Sequence, residues 1–210
     1  MQTEPLYPYY FAHGYLPSNT ITQSMVDNIK ALPKAPNTFN SKSQSNYVLN
    51  HIDWLQPLKA EIQNLINDAY YNDWGVPRER LTPVITQSWF TYSQPREKMH
   101  NHAHPNSLLS GVVYIEADPN VDEIYIERPM KYHRLMHYPV KQNQWTSNQY
   151  VHNVGQGAAI LFDSQLNHYF NEVSETQPQR ISLAFNTFLE GTFGDDELLT
   201  GLHLKVGRPG

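Results

Sequence analysis

The spacing of apolar residues changes near residue 80. Upstream, Ile21, Met25, Val26 and Ile29 recur at helical intervals in ITQSMVDNIKALP. Ser18, Asn19 and Thr20 are candidate N-caps for this helix, and Leu32-Pro33 stops it. The stripe Leu58, Ile62, Leu65, Ile66 and Ala69 predicts a clearer helix with one core-facing side. Asp53 or Gln56 caps it, and Pro57 falls in the first turn, where a missing N–H costs nothing. Between the two, the stretch from Pro33 to about Tyr47 is rich in Asn, Ser and Pro and reads as loop. From about Leu81 the period shortens. PVITQSWFTY, LLSGVVYIEA, DEIYIERP, QYVHNV, AAILFD and RISLAFNTF are runs of strand length, rich in β-branched and aromatic residues and separated by turn formers. One more strand is expected around Leu202 to Val206. The pattern predicts a single, mainly β domain. An N-terminal helical and loop layer over residues 1–80 packs on a β core over residues 81–210. Several short strands of this kind form a sandwich or barrel such as a jelly roll.

Composition narrows the chemistry. The chain has 210 residues, ten histidines and no cysteine. A disulfide scaffold, a thiolate metal site, an iron–sulfur cluster and a thiol nucleophile are therefore excluded. Any transition-metal site must use His, Asp or Glu. The formal net charge of −5 gives no attraction to nucleic acid or to an anionic membrane surface. No apolar run approaches the roughly 20 residues of a membrane span, and the first residues lack the pattern of a signal peptide. A cytoplasmic protein is the expectation. Nothing in the pattern fixes an oligomeric state.

Three segments carry candidate chemistry. In MHNHAHPNS, His100, His102 and His104 lie two apart, a spacing that puts alternate side chains of a strand on one face. A His-x-His pair can supply two ligands to one metal. In GAAILFDSQLNHYF, His168 follows an apolar strand and a turn. In RISLAFN, Arg180, Ser182, Ala184 and Asn186 share one face, and Ile181, Leu183 and Phe185 share the other. An arginine opening an apolar strand, with a hydroxyl two residues on, suits a carboxylate.

In this order, HAHPNSLLSGVVYI (102–115), GAAILFDSQLNHYF (157–170) and RISLAFNTF (180–188) resemble the iron(II)/2-oxoglutarate-dependent oxygenases. The likeness is to a bacterial and phage branch related to the prolyl hydroxylases, and it covers roughly residues 85–190. It implies a double-stranded β-helix, the jelly-roll or cupin-like barrel, holding one Fe(II). It implies His102, His104 and His168 as metal ligands. It also implies Arg180 as anchor for the far carboxylate of 2-oxoglutarate, Ser182 as its hydroxyl companion, and Tyr114 and Tyr92 as co-substrate hydroxyls. His104 stands where the wider superfamily has Asp or Glu. Three neutral ligands leave two positive charges on the site, where two histidines and a carboxylate leave one. His100 shares the strand parity and competes as a ligand or as a neighbour that orients one. In motif terms the nearest carboxylate is Asp163, five residues before His168, at a position that is not a ligand in the family segment.

The implied activity is hydroxylation with release of succinate and carbon dioxide. The substrate is unknown; kinship points to a peptide, an amino acid or another small molecule. Asn106 and Asn186 are candidate substrate contacts. The long excursion between Glu116 and Val154, including His133, His137 and His152, is a candidate for shaping specificity. The alternatives are a non-catalytic jelly-roll module that binds a metal or ligand, and a three-histidine zinc hydrolase.

Overall fold

The computed structural model describes residues 8–129 and 146–207, together with Glu4 and Asn143. In chain order its elements are β1 (Phe11–Tyr15), α1 (Gln23–Ala31), β2 (Lys34–Pro36), β3 (Ser41–Ser43), α2 (Val48–His51), α3 (Gln56–Asp68), β4 (Leu81–Ser93), β5 (Met99–His102), β6 (Leu109–Glu116), β7 (Glu123–Glu127), β8 (Gln149–Asn153), β9 (Ala158–Asp163), β10 (His168–Phe170), β11 (Arg180–Phe193) and β12 (Leu202–Leu204). All strand pairings among these are antiparallel. The larger sheet runs β1-β9-β6-β11-β4-β3-β2, with β12 added along β11. The smaller runs β5-β10-β7-β8. Two antiparallel sheets of this connectivity are the double-stranded β-helix that the sequence resemblance implies.

Strand parity divides the apolar residues into two cores. On β11, Ile181, Leu183 and Phe185 face the helices and pack with Leu58, Ile62 and Ile66 of α3 and with Val26 and Ile29 of α1. The other core, between the sheets, contains Val112, Tyr114, Ile160, Phe162 and Phe170. Alternation on β11 thus sends Arg180, Ser182, Ala184 and Asn186 toward the barrel interior, as its sequence predicts. Gly111 on β6 lies under the Phe185 ring. A β-carbon there would be 2.1 Å from a ring atom, so only glycine lets strand and ring approach this closely.

Local details differ from expectation. The α1 N-cap is Thr22, whose hydroxyl accepts from the Met25 amide at 3.2 Å, and not Ser18, Asn19 or Thr20. Leu55 occupies the N-cap position of α3 without a side-chain bond, while Asp53 opens a short 3₁₀ turn just before it. The stretch from Pro33 to Tyr47 is not all loop. It folds into the β2–β3 hairpin because β4 offers β3 a free edge. β1, unpredicted, pairs with β9. No helix among the described residues is long and apolar enough to cross a membrane.

Candidate metal centre and its cleft

β5 and β10 place two histidines directly opposite each other, since His102 and His168 are register partners. His104 lies two residues past the end of β5, so it is not on the strand. Its amide is held by the Ser164 carbonyl at 2.8 Å, which turns its ring back toward the pair. One ring nitrogen from each of the three lies within 4.8 Å of the others.

The hydrogen bonds fix which nitrogen is free. His102 Nδ1 donates to the His100 carbonyl at 2.7 Å, and His168 Nδ1 donates to the Leu166 carbonyl at 3.1 Å. His104 Nδ1 donates to Asn186 Oδ1 at 2.5 Å. With Nδ1 protonated in all three, every Nε2 carries a lone pair. The Nε2 atoms of His102 and His104 are 3.1 Å apart, an arrangement of facing lone pairs that a cation relieves.

Burial keeps these rings neutral. Desolvation, with the neighbouring histidines adding to it, lowers the His102 pKa to about 4 against the opposing bond to the His100 carbonyl. Desolvation lowers His104 too, opposed by Asn186, and drives His168, 1% exposed, well below the usual imidazole range. Neutral imidazole is the form that binds metal.

The surroundings of His104 extend inward through hydroxyls. Ser110 Oγ lies 3.1 Å from His104 Nδ1 and donates to Asn186 Oδ1 at 3.0 Å. It also contacts Ser164 Oγ at 2.8 Å, and Ser164 reaches Ser107 at 2.8 Å. Asn186, expected at the substrate, therefore has its carbonyl oxygen committed to orienting His104. His100 acts through its carbonyl, and its ring lies tilted against that of His102 at 4.8 Å, outside the converging set. Asp163 lies outside that set as well; its carboxylate accepts from the Gln165 backbone and side chain.

Arg180 opens β11 and is 2% exposed. Its Nη1 donates to Asp122 Oδ1 at 3.0 Å and to Asn171 Oδ1 at 2.9 Å, and its Nη2 donates to the Asn171 carbonyl at 2.9 Å. Asp122 is itself fully buried and takes Gln177 and the Asp118 amide as further donors. A guanidinium has five N–H groups. Three are used, so the edge formed by Nε and the second Nη2 hydrogen has no protein partner among the described residues. Tyr114 stands opposite Ser182 in the register, on the same barrel side. Its hydroxyl is fully buried and has no hydrogen-bond partner among the described residues. Burial pushes its pKa far up, although the Arg180 charge works against the shift, so the phenol remains a donor.

Tyr92 does not join this group. It pairs with Ile181, so it faces the helices, and its hydroxyl donates to the Ile29 carbonyl at 2.8 Å. The same register puts Thr91 and Ser93 on the side of Ser182 and Arg180. Aligning β4 to β11 requires the pairing, which the apolar pattern of PVITQSWFTY does not reveal. Asn106, at a positive φ of 58°, lines the open cleft beside His102 and His104. Trp89 lines it as well, its ring 5.9 Å from that of His104. Sequence reasoning missed Trp89, Asp122 and Asn171, which lie outside the three quoted segments, and Ser110, which lies within one of them but far from a histidine in that segment's strand pattern. His152, on β8, lies tilted against His13 with ring centres 4.2 Å apart, whereas His133 and His137 lie outside the described residues.

Comparison with known proteins agrees with this geometry. Residues 87–186 match a family model described as "Putative 2OG-Fe(II) oxygenase". No curated protein matches the chain. Three solved structures share the fold at low identity. A prolyl-4-hydroxylase from Pseudomonas putida is 12% identical, covering 85% of this chain and 92% of its own, with a TM-score of 0.56. HygX from Streptomyces hygroscopicus, with nickel and 2-oxoglutarate bound, is 11% identical over 84% of this chain and 82% of its own, TM-score 0.55. The non-haem α-ketoglutarate-dependent epimerase SnoN of nogalamycin biosynthesis is 11% identical over 95% and 89%, TM-score 0.60. The matched segment contains all three converging histidines and the start of β11, so the likeness to the 2OG-Fe(II) oxygenases falls on the β core of this chain.

Proposed function

We propose that the protein is an Fe(II)- and 2-oxoglutarate-dependent oxygenase that hydroxylates an aliphatic C–H bond of a peptidyl or small-molecule substrate. One atom of dioxygen enters the new hydroxyl and the other enters succinate, with loss of carbon dioxide. The observation that carries the reading is the convergence of three Nε2 lone pairs, each set by an Nδ1–H bond on the far side of its ring. Three protein nitrogens fit a metal that keeps open positions for other ligands. The fit extends to 2-oxoglutarate, because the unpartnered Tyr114 hydroxyl and the open edge of Arg180 are donors suited to a carboxylate.

When bound, iron with 2-oxoglutarate supplies the dioxygen activation and the hydrogen abstraction. The chain's own work is positional. His102, His104 and His168 hold the metal as neutral donors, and Asn186, Leu166 and His100 keep their rings turned to it. Arg180 and Tyr114 hold the far carboxylate, and Ser182 lies beside them on the barrel side of β11. Asp122 and Asn171 hold the guanidinium so that its free edge is presented without a search of rotamers. The fully apolar neighbours Val112, Ile160 and Phe162 keep water from the interior.

Purified protein supplied with Fe(II), ascorbate and 2-oxoglutarate is expected to release succinate, and His168→Ala is expected to abolish metal binding. A folded, iron-loaded sample that neither binds 2-oxoglutarate nor forms succinate refutes the assignment. Activity with zinc and indifference to 2-oxoglutarate would mark a hydrolase instead.

A further inference from the structure

The cleft beside His102 and His104 has a volume of about 610 Å³, within the range of small-molecule sites. Among the described residues its lining includes no Lys, Arg, Asp or Glu. A zwitterionic amino acid or a phosphorylated compound would therefore bring charge to walls with no counter-charge, which is costly once water is displaced. The lining does offer an aromatic face, Trp89, and neutral hydrogen-bonding groups. The Gln87 and Asn106 amides and the Trp89 indole N–H have no protein partner among the described residues. An indole face is electron-rich and attracts the slightly positive C–H groups of a saturated ring. An amide offers both donor and acceptor, the complement of a hydroxyl. A flat heteroaromatic base could stack as well, but hydrogen abstraction requires aliphatic C–H bonds, and that step rests on the oxygenase reading above.

We propose that this cleft receives an uncharged, polyhydroxylated saturated ring, a glycosyl group. It lies against Trp89 and is held through its hydroxyls by Gln87 and Asn106, with one ring C–H directed to the centre held by His102 and His104.

The test uses the full chain loaded with zinc, which holds the site without turnover. Saturation-transfer NMR is recorded with methyl β-D-glucopyranoside, methyl β-D-galactopyranoside and maltotriose, and with L-proline and N-acetylprolinamide as competing classes. The affinity for 2-oxoglutarate is measured on the same sample by calorimetry. At least one saccharide is expected to show transfer to its ring protons. That binding should weaken at least tenfold in Trp89→Ala and severalfold in Gln87→Ala and Asn106→Ala, with 2-oxoglutarate affinity unchanged. Gln87→Ala and Asn106→Ala serve alone if the tryptophan variant does not fold. Transfer confined to proline or its amide overturns the assignment. So does the absence of transfer from all three saccharides, or saccharide binding indifferent to the substitutions. Saccharide binding without 2-oxoglutarate binding would instead overturn the oxygenase reading and leave the cleft assignment standing.

Discussion

The Tyr114 hydroxyl is fully buried and has no partner among the described residues, so removing it separates stability from co-substrate binding. A buried donor without a partner costs about 1–3 kcal/mol, and Tyr114→Phe removes that cost while keeping the ring packed against Phe170 at 6.0 Å. The protein without 2-oxoglutarate should therefore gain stability. At about 2–4 °C per kcal/mol for a chain of this size, the melting temperature rises by a few degrees. With 2-oxoglutarate the sign reverses. A hydrogen bond to a charged group contributes about 1.5–3 kcal/mol, so its loss weakens binding by about 10- to 150-fold. The assay is a pair of thermal melts on the metal-loaded protein with and without 2-oxoglutarate, supported by calorimetric titration. The wild type should show the larger ligand-induced rise and the lower starting point. A variant that melts lower without ligand, or that binds 2-oxoglutarate as tightly as the wild type, refutes the reasoning.

Replacing Asn186 by Leu removes the amide oxygen that accepts from His104, leaving only the longer contact to Ser110, and losses of this kind cost about 10–100-fold in metal affinity, measurable by titration with Ni(II). Gly111→Ala forces a methyl into the Phe185 ring and should destabilise the fold by about 1–3 kcal/mol in urea unfolding, with metal affinity unchanged in the folded fraction. Arg180→Ala strands the buried Asp122 and should cost about 3–5 kcal/mol of stability besides its 2-oxoglutarate binding. The metal-free protein should lose stability as pH falls. His102 and His168 bind protons less readily folded than unfolded, so the loss begins near the unfolded value of about 6.5 and, for His102, continues down to about 4. Melts across that window that show no fall would contradict it.

The core strands and the converging histidines were legible because each rests on a local rule. β11 alternates strictly, so its barrel side, Arg180, Ser182, Ala184 and Asn186, follows from period two alone. His102, His104 and His168 stand in segments whose order carries the resemblance. What was not legible depends on pairing. Tyr92 has the right residue type in the right strand, yet its register with Ile181 turns it to the helices. Asn186 lies on the predicted face, but a ring 82 positions away in sequence takes its oxygen. The β2–β3 hairpin looks like loop because its stability comes from the edge of β4 and not from its own composition.

The histidine at position 104 also makes sense in terms of charge. With three neutral ligands a divalent ion would keep its full charge, which suits the binding of the dianion 2-oxoglutarate proposed above. Arg180 does not add to that balance, because the buried Asp122 at 3.0 Å cancels it. The ion and the dianion therefore neutralise each other, where an aspartate at 104 would leave one negative charge excess in the apolar interior. His104→Asp should consequently keep the metal but bind 2-oxoglutarate less tightly than the wild type, a comparison two titrations decide. Equal or tighter 2-oxoglutarate binding in that variant would show that the barrel tolerates the extra charge, and that orientation by Asn186, not charge, is what distinguishes the histidine.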